Sequence, residues 1–537
     1  MPRATLIRPP GVVSRYALTL DATPPVSVAY VAASLARAGW EVQVIDALGE
    51  GLDAMHPGYR DDVLIHGLSI DEIVARVDPH ADVIGVSCMF SNEWPVVRGI
   101  LAALAERAPG IPIVCGGEHP TAAPELSLRQ APALAACVLG EGEETGVELF
   151  NALHAGLALG GIPGIAYRED GRCVRTPPRS RIRAVEDIAR PAWDRVPFET
   201  YLSRGLSFGV HRGRTMPVVA TRGCPYRCTF CSSPQMWTTR YYARAPEDVV
   251  DEIERGVKQY GIEAVDFYDL TAIVRRDWIL AFCRRLRARG LAITWQLPSG
   301  TRSEALDAEV LSEMFRSGCR NVSYAPESGS PATLRRIEKK VHLDRMLTSM
   351  RAAVSAGLNV KANIIMGFPE ETRADLRETL HFMGRMARAG VHDVSAWTFV
   401  PYPGCELFEQ LLARGRLPEL DDDYFANLLS YSDFTRTVSY CDQLSAAELR
   451  RYRTAGMALF YGASYLTHPA RPFRSIANLA RSRYDSRMEM SLGNLLRRIR
   501  LGSGIAPWPS RGPADNQARA STSASTARSA AIPSPPA

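Results

Sequence analysis

The chain has 537 residues, of which 46% are hydrophobic and 23% are charged, as expected for a soluble protein of two or three domains. Its net charge of +5 is too weak to indicate nucleic-acid binding. No run of about 18 apolar residues is present, and Met1 leads into an apolar strand rather than a signal peptide. We therefore expect a cytoplasmic protein with reduced cysteines.

Short apolar runs alternate with amphipathic segments over residues 1–155. Strands are predicted at 5–7, 41–45, 82–87, 111–115 and 136–139, and helices at 26–38, 70–76, 96–107 and 144–155. This order predicts an α/β domain, a doubly wound parallel sheet with helices on both faces. Such a sheet binds ligands outside the carboxyl ends of its strands. Residues 156–213, rich in glycine and proline signals, are predicted to be a connector with little regular structure.

A second strand–helix series occupies residues 214–408. Strands are predicted at 218–221, 264–268, 292–296, 321–325, 360–366 and 394–399, and helices at 246–260, 278–289, 304–317, 344–356 and 373–389. The series predicts a partial (β/α)6 barrel whose functional residues lie at the carboxyl ends of the strands. Residues 409–502 are predicted to form a helical C-terminal region. Residues 503–537, rich in Pro, Ser and Ala, are predicted to be a disordered tail.

Three cysteines, Cys224, Cys228 and Cys231, fall within eight residues directly after the first predicted barrel strand. Thiolates at this spacing can hold one face of a [4Fe-4S] cluster. The next cysteine is Cys283, so one iron is left for an outside ligand such as the amine and carboxylate of an amino acid. A structural zinc ion would want four ligands, usually in two close pairs, and this segment has no second pair.

The cysteine segment, with an aromatic residue before its third cysteine, resembles the radical S-adenosylmethionine (SAM) superfamily. The resemblance continues through residues 237–250, 325–330, 366–372 and 399–404. It implies that the three cysteines bind the cluster, and it implies SAM contacts from Phe230, Asp269, Glu327, Ser328 and Gly367. Independently of the resemblance, Glu327 ends a predicted strand, where its carboxylate can accept a hydrogen bond from a ribose hydroxyl or an ammonium group. The alternative is that it only caps the next helix.

The first domain resembles the cobalamin-binding domain of one branch of that superfamily. The resemblance rests on residues 115–121 and 140–143, and residues 87–94 are expected to form the remaining side of the cobalamin site. It implies cobalamin contacts from Ser87, Gly116, Gly117, Glu118, His119, Thr121, Gly140, Glu141 and Gly142. The Asp-x-His-x-x-Gly motif, whose histidine ligates cobalt in many cobalamin proteins, does not occur here, so the lower cobalt ligand stays open. A domain that binds nothing, or only the substrate, is the alternative.

Several reactions are compatible with this resemblance. It implies that SAM is cleaved to a 5′-deoxyadenosyl radical and that cobalamin donates a methyl group to an unactivated carbon of an apolar or polycyclic substrate. Relatives in the branch perform ring closures without methyl transfer, including an anaerobic magnesium-porphyrin cyclase, and the quoted residues do not separate these outcomes. Methylthio transfer to RNA would need a different first domain. A non-catalytic iron–sulfur protein would need no SAM-binding residues.

The C-terminal region combines apolar helix with basic charge, a pattern typical of a membrane surface or of a solvated helix that closes the barrel. Its arginines are Arg471, Arg474, Arg481, Arg483, Arg487, Arg497, Arg498 and Arg500. We expect a small-molecule substrate, lipid-like or a tetrapyrrole, reached by peripheral membrane contact. The resemblance implies an electron donor such as a flavodoxin or ferredoxin, and we expect no nucleic-acid partner.

Overall fold

The computed structural model describes residues 1–17, 20 and 22–501. The tail predicted to be disordered, residues 503–537, lies outside the described residues. The strands before the cysteine segment are β1 (Arg3–Arg8), β2 (Gly11–Ser14), β3 (Glu41–Asp46), β4 (Met55–Pro57), β5 (Val63–His66), β6 (Val83–Ser87), β7 (Ile113–Gly116), β8 (Leu134–Val138), β9 (Ile165–Glu169) and β10 (Arg172–Arg175). The helices of this part are α1 (Val26–Arg37), α2 (Ile70–Arg76), α3 (Trp94–Arg107), α4 (Glu118–Ala122), α5 (Pro124–Gln130), α6 (Gly142–His154) and α7 (Phe198–Arg204).

The first sheet has the strand order β10-β9-β8-β7-β6-β1-β3. Strands β3, β1, β6, β7 and β8 run parallel, while β9 and β10 are antiparallel additions. Helices α1 and α6 contribute to the hydrophobic core on one face, and α2 and α3 contribute to the core on the other. Strands covered on both faces are apolar nearly throughout, as in β6. The predicted doubly wound sheet is therefore confirmed.

Two parts of this region differ from the sequence prediction. Strands β2, β5 and β4 form a small antiparallel sheet that was not predicted. The segment 156–213, predicted to have little regular structure, contains the β9–β10 hairpin and α7. The hairpin turns at Asp170 (φ 48°) and Gly171 (φ 76°). An Asp-Gly pair with both residues at positive φ is typical of a two-residue hairpin turn, so the signal was present in the sequence.

The second half is built on six parallel strands in the order β11-β14-β15-β16-β17-β18. Its strands are β11 (Thr215–Val218), β12 (Thr221–Arg222), β13 (Tyr242–Ala243), β14 (Ala264–Phe267), β15 (Thr294–Thr301), β16 (Cys319–Glu327), β17 (Asn359–Met366) and β18 (Asp393–Thr398). Its helices are α8 (Ser233–Trp237), α9 (Pro246–Tyr260), α10 (Arg276–Ala288), α11 (Ala308–Arg316), α12 (Pro331–Arg336), α13 (Leu343–Ser355) and α14 (Arg373–Arg388). Within the described chain β11 and β18 are not paired, so the barrel is open, as predicted.

Strand β15 is longer than the pattern predicted, because it continues past Pro298 and Gly300. Its pairing with β16 shifts register between Leu297 and Gly300. This β-bulge accommodates the proline, which cannot donate to a regular ladder. The strand therefore reaches Thr301 at the barrel mouth.

Five helices follow the last barrel strand. They are α15 (Glu406–Ala413), α16 (Asp422–Asn427), α17 (Ala446–Thr467), α18 (Ala470–Ala480) and α19 (Arg487–Leu501). Helix α17 packs against α14 and the edge strand β18. Among the described residues, no helix has the length and apolar character needed to cross a bilayer.

Candidate active site

The three predicted cluster ligands lie in the loop enclosed by the antiparallel β12–β13 pair, which follows the first barrel strand. Cys228 is buried, and Cys224 and Cys231 are half-buried. Burial raises the pKa of each thiol, to about 12 for Cys231, and the negative charges of Cys228 and Cys224 contribute to that shift. The three sulfur atoms are therefore within electrostatic reach of one another.

Basic side chains make the surroundings of the cysteine loop suitable for an anionic iron–sulfur cluster. Among the described residues, no three His, Cys, Asp or Glu side chains converge where one metal ion could be held. A four-iron cube instead spreads three thiolates over three irons. The positive charges of Lys339 and Arg302 act on Cys228 and oppose the rise of its pKa. Thiolates bound to iron would be stabilised by the same cations.

Glu327 ends β16 in a conformation that is rare for residues other than glycine, with φ of 64°. Its carboxylate accepts from Nζ of Lys339 at 3.0 Å, and both side chains are buried. Lys339 Nζ also lies 5.9 Å from the centroid of the Phe230 ring. Strained backbone of this kind is concentrated at functional sites. The structure thus brings Phe230 and Glu327 together around Lys339, a residue that the sequence analysis missed.

The other predicted SAM contacts make hydrogen bonds within the protein. Asp269 accepts from the Thr221 hydroxyl and the Ala220 amide, and burial raises its pKa to about 6. Ser328 Oγ lies 3.1 Å from Thr379 Oγ1. The amide of Gly367 donates to Glu371. Asp269 therefore anchors the start of the cysteine loop, whereas Ser328 and Gly367 join β16 and β17 to the packing around α14.

Several buried side-chain oxygens near the barrel mouth have no hydrogen-bond partner among the described residues. They include those of Thr229 and Ser233 in the cysteine loop and of three strand residues, Thr301 on β15, Asn363 on β17 and Thr398 on β18. Buried polar atoms are nearly always paired, so a group of unpaired ones calls for an explanation. A polar ligand such as SAM would provide partners here. For the three strand residues, the signal in the sequence was a polar side chain within a predicted barrel strand or directly after it.

The predicted cobalamin loops lie at the carboxyl edge of the first sheet. Ser87 and Gly116 end β6 and β7 and are paired in register. Gly117 has φ of 123°, and a Cβ atom there would collide with the Cys88 carbonyl oxygen. The hydroxyl of Thr121 donates to the Gly117 carbonyl at 2.7 Å and accepts from the Gly140 amide at 3.0 Å. The two glycine loops are thus held together by Thr121 at the carboxyl edge of the sheet.

Glu118 lies in the first turn of α4 and contacts the hydroxyl of Ser232, the residue after Cys231. This contact joins the β7–α4 loop of the first sheet to the cysteine loop. Burial raises the pKa of the Glu118 carboxyl. The carboxyl edge of the first sheet therefore faces the barrel mouth.

Glu141 and His119 are engaged in packing. Glu141 is buried between Arg181 and Arg222, with nitrogen–oxygen distances of 2.7 and 3.3 Å, and Gly142 begins α6 directly after it. His119 stacks on Trp94 with 4.7 Å between ring centroids, and its Nδ1 lies 3.0 Å from the Ser91 hydroxyl. Burial lowers the pKa of His119 to about 3, so this ring is neutral.

Comparison with known proteins identifies both halves of the molecule. Residues 218–383 match the Radical SAM superfamily, and residues 19–150 match the B12 binding domain. The two define an enzyme that combines a radical SAM barrel with a cobalamin domain. An uncharacterized methyltransferase of Pyrococcus horikoshii is 32% identical over 396 residues, which cover 73% of this chain and 80% of that protein. The chain belongs to the cobalamin-dependent radical SAM family, whose cofactors are a [4Fe-4S] cluster, SAM and cobalamin.

Two further proteins extend the comparison. The anaerobic magnesium-protoporphyrin IX monomethyl ester cyclase of Rubrivivax gelatinosus is 29% identical over 393 residues, covering 72% of this chain and 66% of that protein. The radical SAM methyltransferase TsrM of Kitasatospora setae, solved with cobalamin and a [4Fe-4S] cluster, superposes with a TM-score of 0.59. It is 19% identical and covers 77% of this chain and 75% of that chain, so it supports the fold.

Proposed function

We propose that this enzyme transfers a methyl group to an unactivated carbon of an apolar or polycyclic small molecule. The observation that carries the proposal is the Glu118–Ser232 contact, which places the glycine loops of the first sheet beside the cysteine loop. In this proposal residues 1–155 bind cobalamin, residues 214–408 bind the cluster and SAM, and the substrate lies between them. When bound, the cofactors supply the electron that cleaves SAM and the methyl group that is transferred.

The proposed ligands follow from the placement described above. Cys224, Cys228 and Cys231 hold the cluster, and the barrel mouth binds SAM through Phe230, Glu327 and the unpaired oxygens of β15, β17 and β18. The glycine loops and Thr121 bind cobalamin, with Glu118 at the boundary. Glu327 is suited to the ammonium group of SAM because it is a buried carboxylate at the end of a barrel strand, with Oε1 3.0 Å from Lys339 Nζ. Burial of this mouth excludes water from the reacting atoms.

A cysteine substitution tests the site and the reaction class together. The full chain is reconstituted without oxygen with iron, sulfide and cobalamin, then given SAM and a reductant. We expect wild type to form 5′-deoxyadenosine and S-adenosylhomocysteine, and C228A to lose both products together with the visible absorption of the cluster. C173A is the matched control, because Cys173 lies on β10, away from the loop. Products from C228A equal to those of wild type would refute the cluster assignment.

A ring closure without methyl transfer is the second candidate, favoured by the 29% identity to the porphyrin cyclase. The same assay separates the two reactions. Deoxyadenosine together with S-adenosylhomocysteine supports methyl transfer, whereas deoxyadenosine alone supports cyclisation. An iron–sulfur protein without catalysis would yield neither product.

A lipid-like substrate reached at a membrane is supported by the surface of the C-terminal helices. Three large apolar residues are well exposed there, Leu466 at 85%, Phe473 at 74% and Ile476 at 64%. No residue of α18 is buried. The exposed side chains of Arg474 and Arg481 lie in and directly after the same helix. Apolar side chains beside arginines suit an anionic lipid surface.

A further inference from the structure

Helix α17 buries one charged residue on its inner face. The buried positions are Leu449, Arg453, Gly456, Phe460 and Ser464, which recur every three or four residues. This spacing places them on one side of the helix, against α14 and the edge strand β18. Arg453 is only 2% exposed, so its guanidinium group is almost entirely removed from solvent.

The guanidinium group of Arg453 is held on two of its sides. Nε donates to the carbonyl oxygen of Ala396 at 2.7 Å, on the unpaired edge of β18. The Phe434 ring stacks on the guanidinium, with 4.1 Å between Cζ and the ring centroid. The terminal nitrogens Nη1 and Nη2 are buried and have no hydrogen-bond partner in the described part of the chain. The contacts with Ala396 and Phe434 therefore fix the position of the guanidinium group, whereas its edge formed by Nη1 and Nη2 makes no hydrogen bond with a described residue.

Among the described residues, no carboxylate forms an ion pair with Arg453. Asp433 acts on its charge from a distance and accepts hydrogen bonds instead from Ser14 Oγ, Thr435 and the amide of Arg436. Burial lowers the pKa of Arg453 to about 10, and the charge of Asp433 opposes this only in part. An unpaired buried charge is costly to the folded protein. A ligand that binds the terminal edge would remove that cost.

The site lies just beneath the surface at the barrel mouth. Phe434, which covers the guanidinium, is 40% exposed. Ala396 lies in the carboxyl half of β18, and the unpaired hydroxyl of Thr398 follows on the same face of that strand. A ligand that displaces Phe434 would reach the guanidinium from solvent.

We propose that Arg453 binds an oxyanion of the substrate, a carboxylate or a phosphoryl group, through Nη1 and Nη2. The two nitrogens form the planar edge that matches such oxygens with paired hydrogen bonds. The substrate is then an apolar body that carries at least one negative group, and that group is anchored at the open edge of the barrel. This inference rests on the proposed function, because that function places the substrate at the barrel mouth.

Inorganic phosphate is the probe for this site. Thermal unfolding of the full chain is followed without SAM in rising phosphate, against sodium chloride of equal ionic strength. We expect phosphate to raise the midpoint of wild type by about 2 °C or more, since a ligand that binds only the folded state stabilises it. R453M should show no phosphate response. R450M is the matched control, because Arg450 lies on the same helix and is exposed.

A second variant guards against misfolding of R453M, which leaves the Ala396 carbonyl unpaired. F434L keeps the guanidinium and removes the ring that a ligand must displace, so we expect its phosphate response to exceed that of wild type. Equal responses in wild type, R453M and F434L would overturn the proposal, as would the absence of a response in wild type or a weaker response in F434L than in wild type.

Calorimetric titration with SAM identifies the source of the anion. Wild type and R453M are expected to bind SAM with equal affinity. A tenfold or greater loss in R453M would assign the anion to the carboxylate of SAM and overturn the substrate proposal. The two proposals fail separately: a reconstituted wild type that cleaves no SAM refutes the proposed function, whereas SAM cleavage without a phosphate response refutes only the role of Arg453.

Discussion

Lys339 joins two elements that carry predicted SAM-binding residues. Burial alone would lower the pKa of its ammonium group, but the Glu327 carboxylate raises it above the ordinary value. The pair connects the end of β16 to the cysteine loop through Phe230 and Cys228. Glu327 was predicted from its position at the end of a strand. Lys339 was not, since nothing in a sequence shows that the chain returns after twelve residues to the same point.

The Glu327–Lys339 pair yields a stability prediction. E327Q leaves a buried ammonium without its carboxylate, so we expect the free energy of unfolding to fall by about 3 kcal/mol. E338Q should change it by less than about 0.5 kcal/mol, because Glu338 is exposed, although it shares the positive φ of Glu327. Urea denaturation of the ligand-free protein measures both.

The double variant E327Q/K339M is the decisive comparison. Its loss should be smaller than the sum of the two single losses, because removing both charges leaves neither one buried alone. Strictly additive losses would show that the two side chains do not stabilise each other.

At the scale of elements, the sequence predicted most of the parallel strands and missed the irregular additions. Buried parallel strands are apolar runs that can be recognised without knowing their neighbours, as in β6. The small sheet of β2, β4 and β5 and the extension of β15 past Pro298 depend on partners distant in the sequence. The cysteine loop was predictable because its chemistry is local. The hydrogen bonds by which Thr121 joins the loops of Gly117 and Gly140 could not be predicted from the sequence.

The β7–α4 loop provides a test at this scale with two adjacent glycines. G117A forces a side chain into positive φ and against the Cys88 carbonyl, so we expect a loss of about 1–3 kcal/mol in stability and weaker cobalamin binding. G116A is the control for the stability measurement, since its Cβ would lie at an ordinary 3.5 Å from Val138 Cβ.

Thermal unfolding of the cobalamin-free protein measures the loss in stability, and cobalamin absorbance after gel filtration measures retention. Equal losses of stability in G116A and G117A would contradict the geometry described for the loop.

For the whole molecule, the exposed apolar residues of the C-terminal helices predict binding to anionic vesicles. We expect wild type to sediment with vesicles containing phosphatidylglycerol at low salt, and F473S/I476S to bind about tenfold more weakly. L157S is the matched control, because Leu157 is exposed to the same 64% as Ile476 but lies outside the C-terminal helices. Equal sedimentation of all three proteins would remove the support for a membrane-borne substrate.

The buried ion pairs of Glu141 link the first domain to the residues around the cysteine loop. Arg222, at the entrance to the cysteine loop, is paired only with carboxylates from the first half, Glu141 and Glu143, among the described residues. Arg181 binds Glu141 and the Trp237 carbonyl. A fragment that begins at residue 156 would keep both guanidinium groups but lose both acids, beside the loop of the proposed iron ligands. We therefore expect the proposed iron centre to assemble less completely in that fragment than in the intact chain.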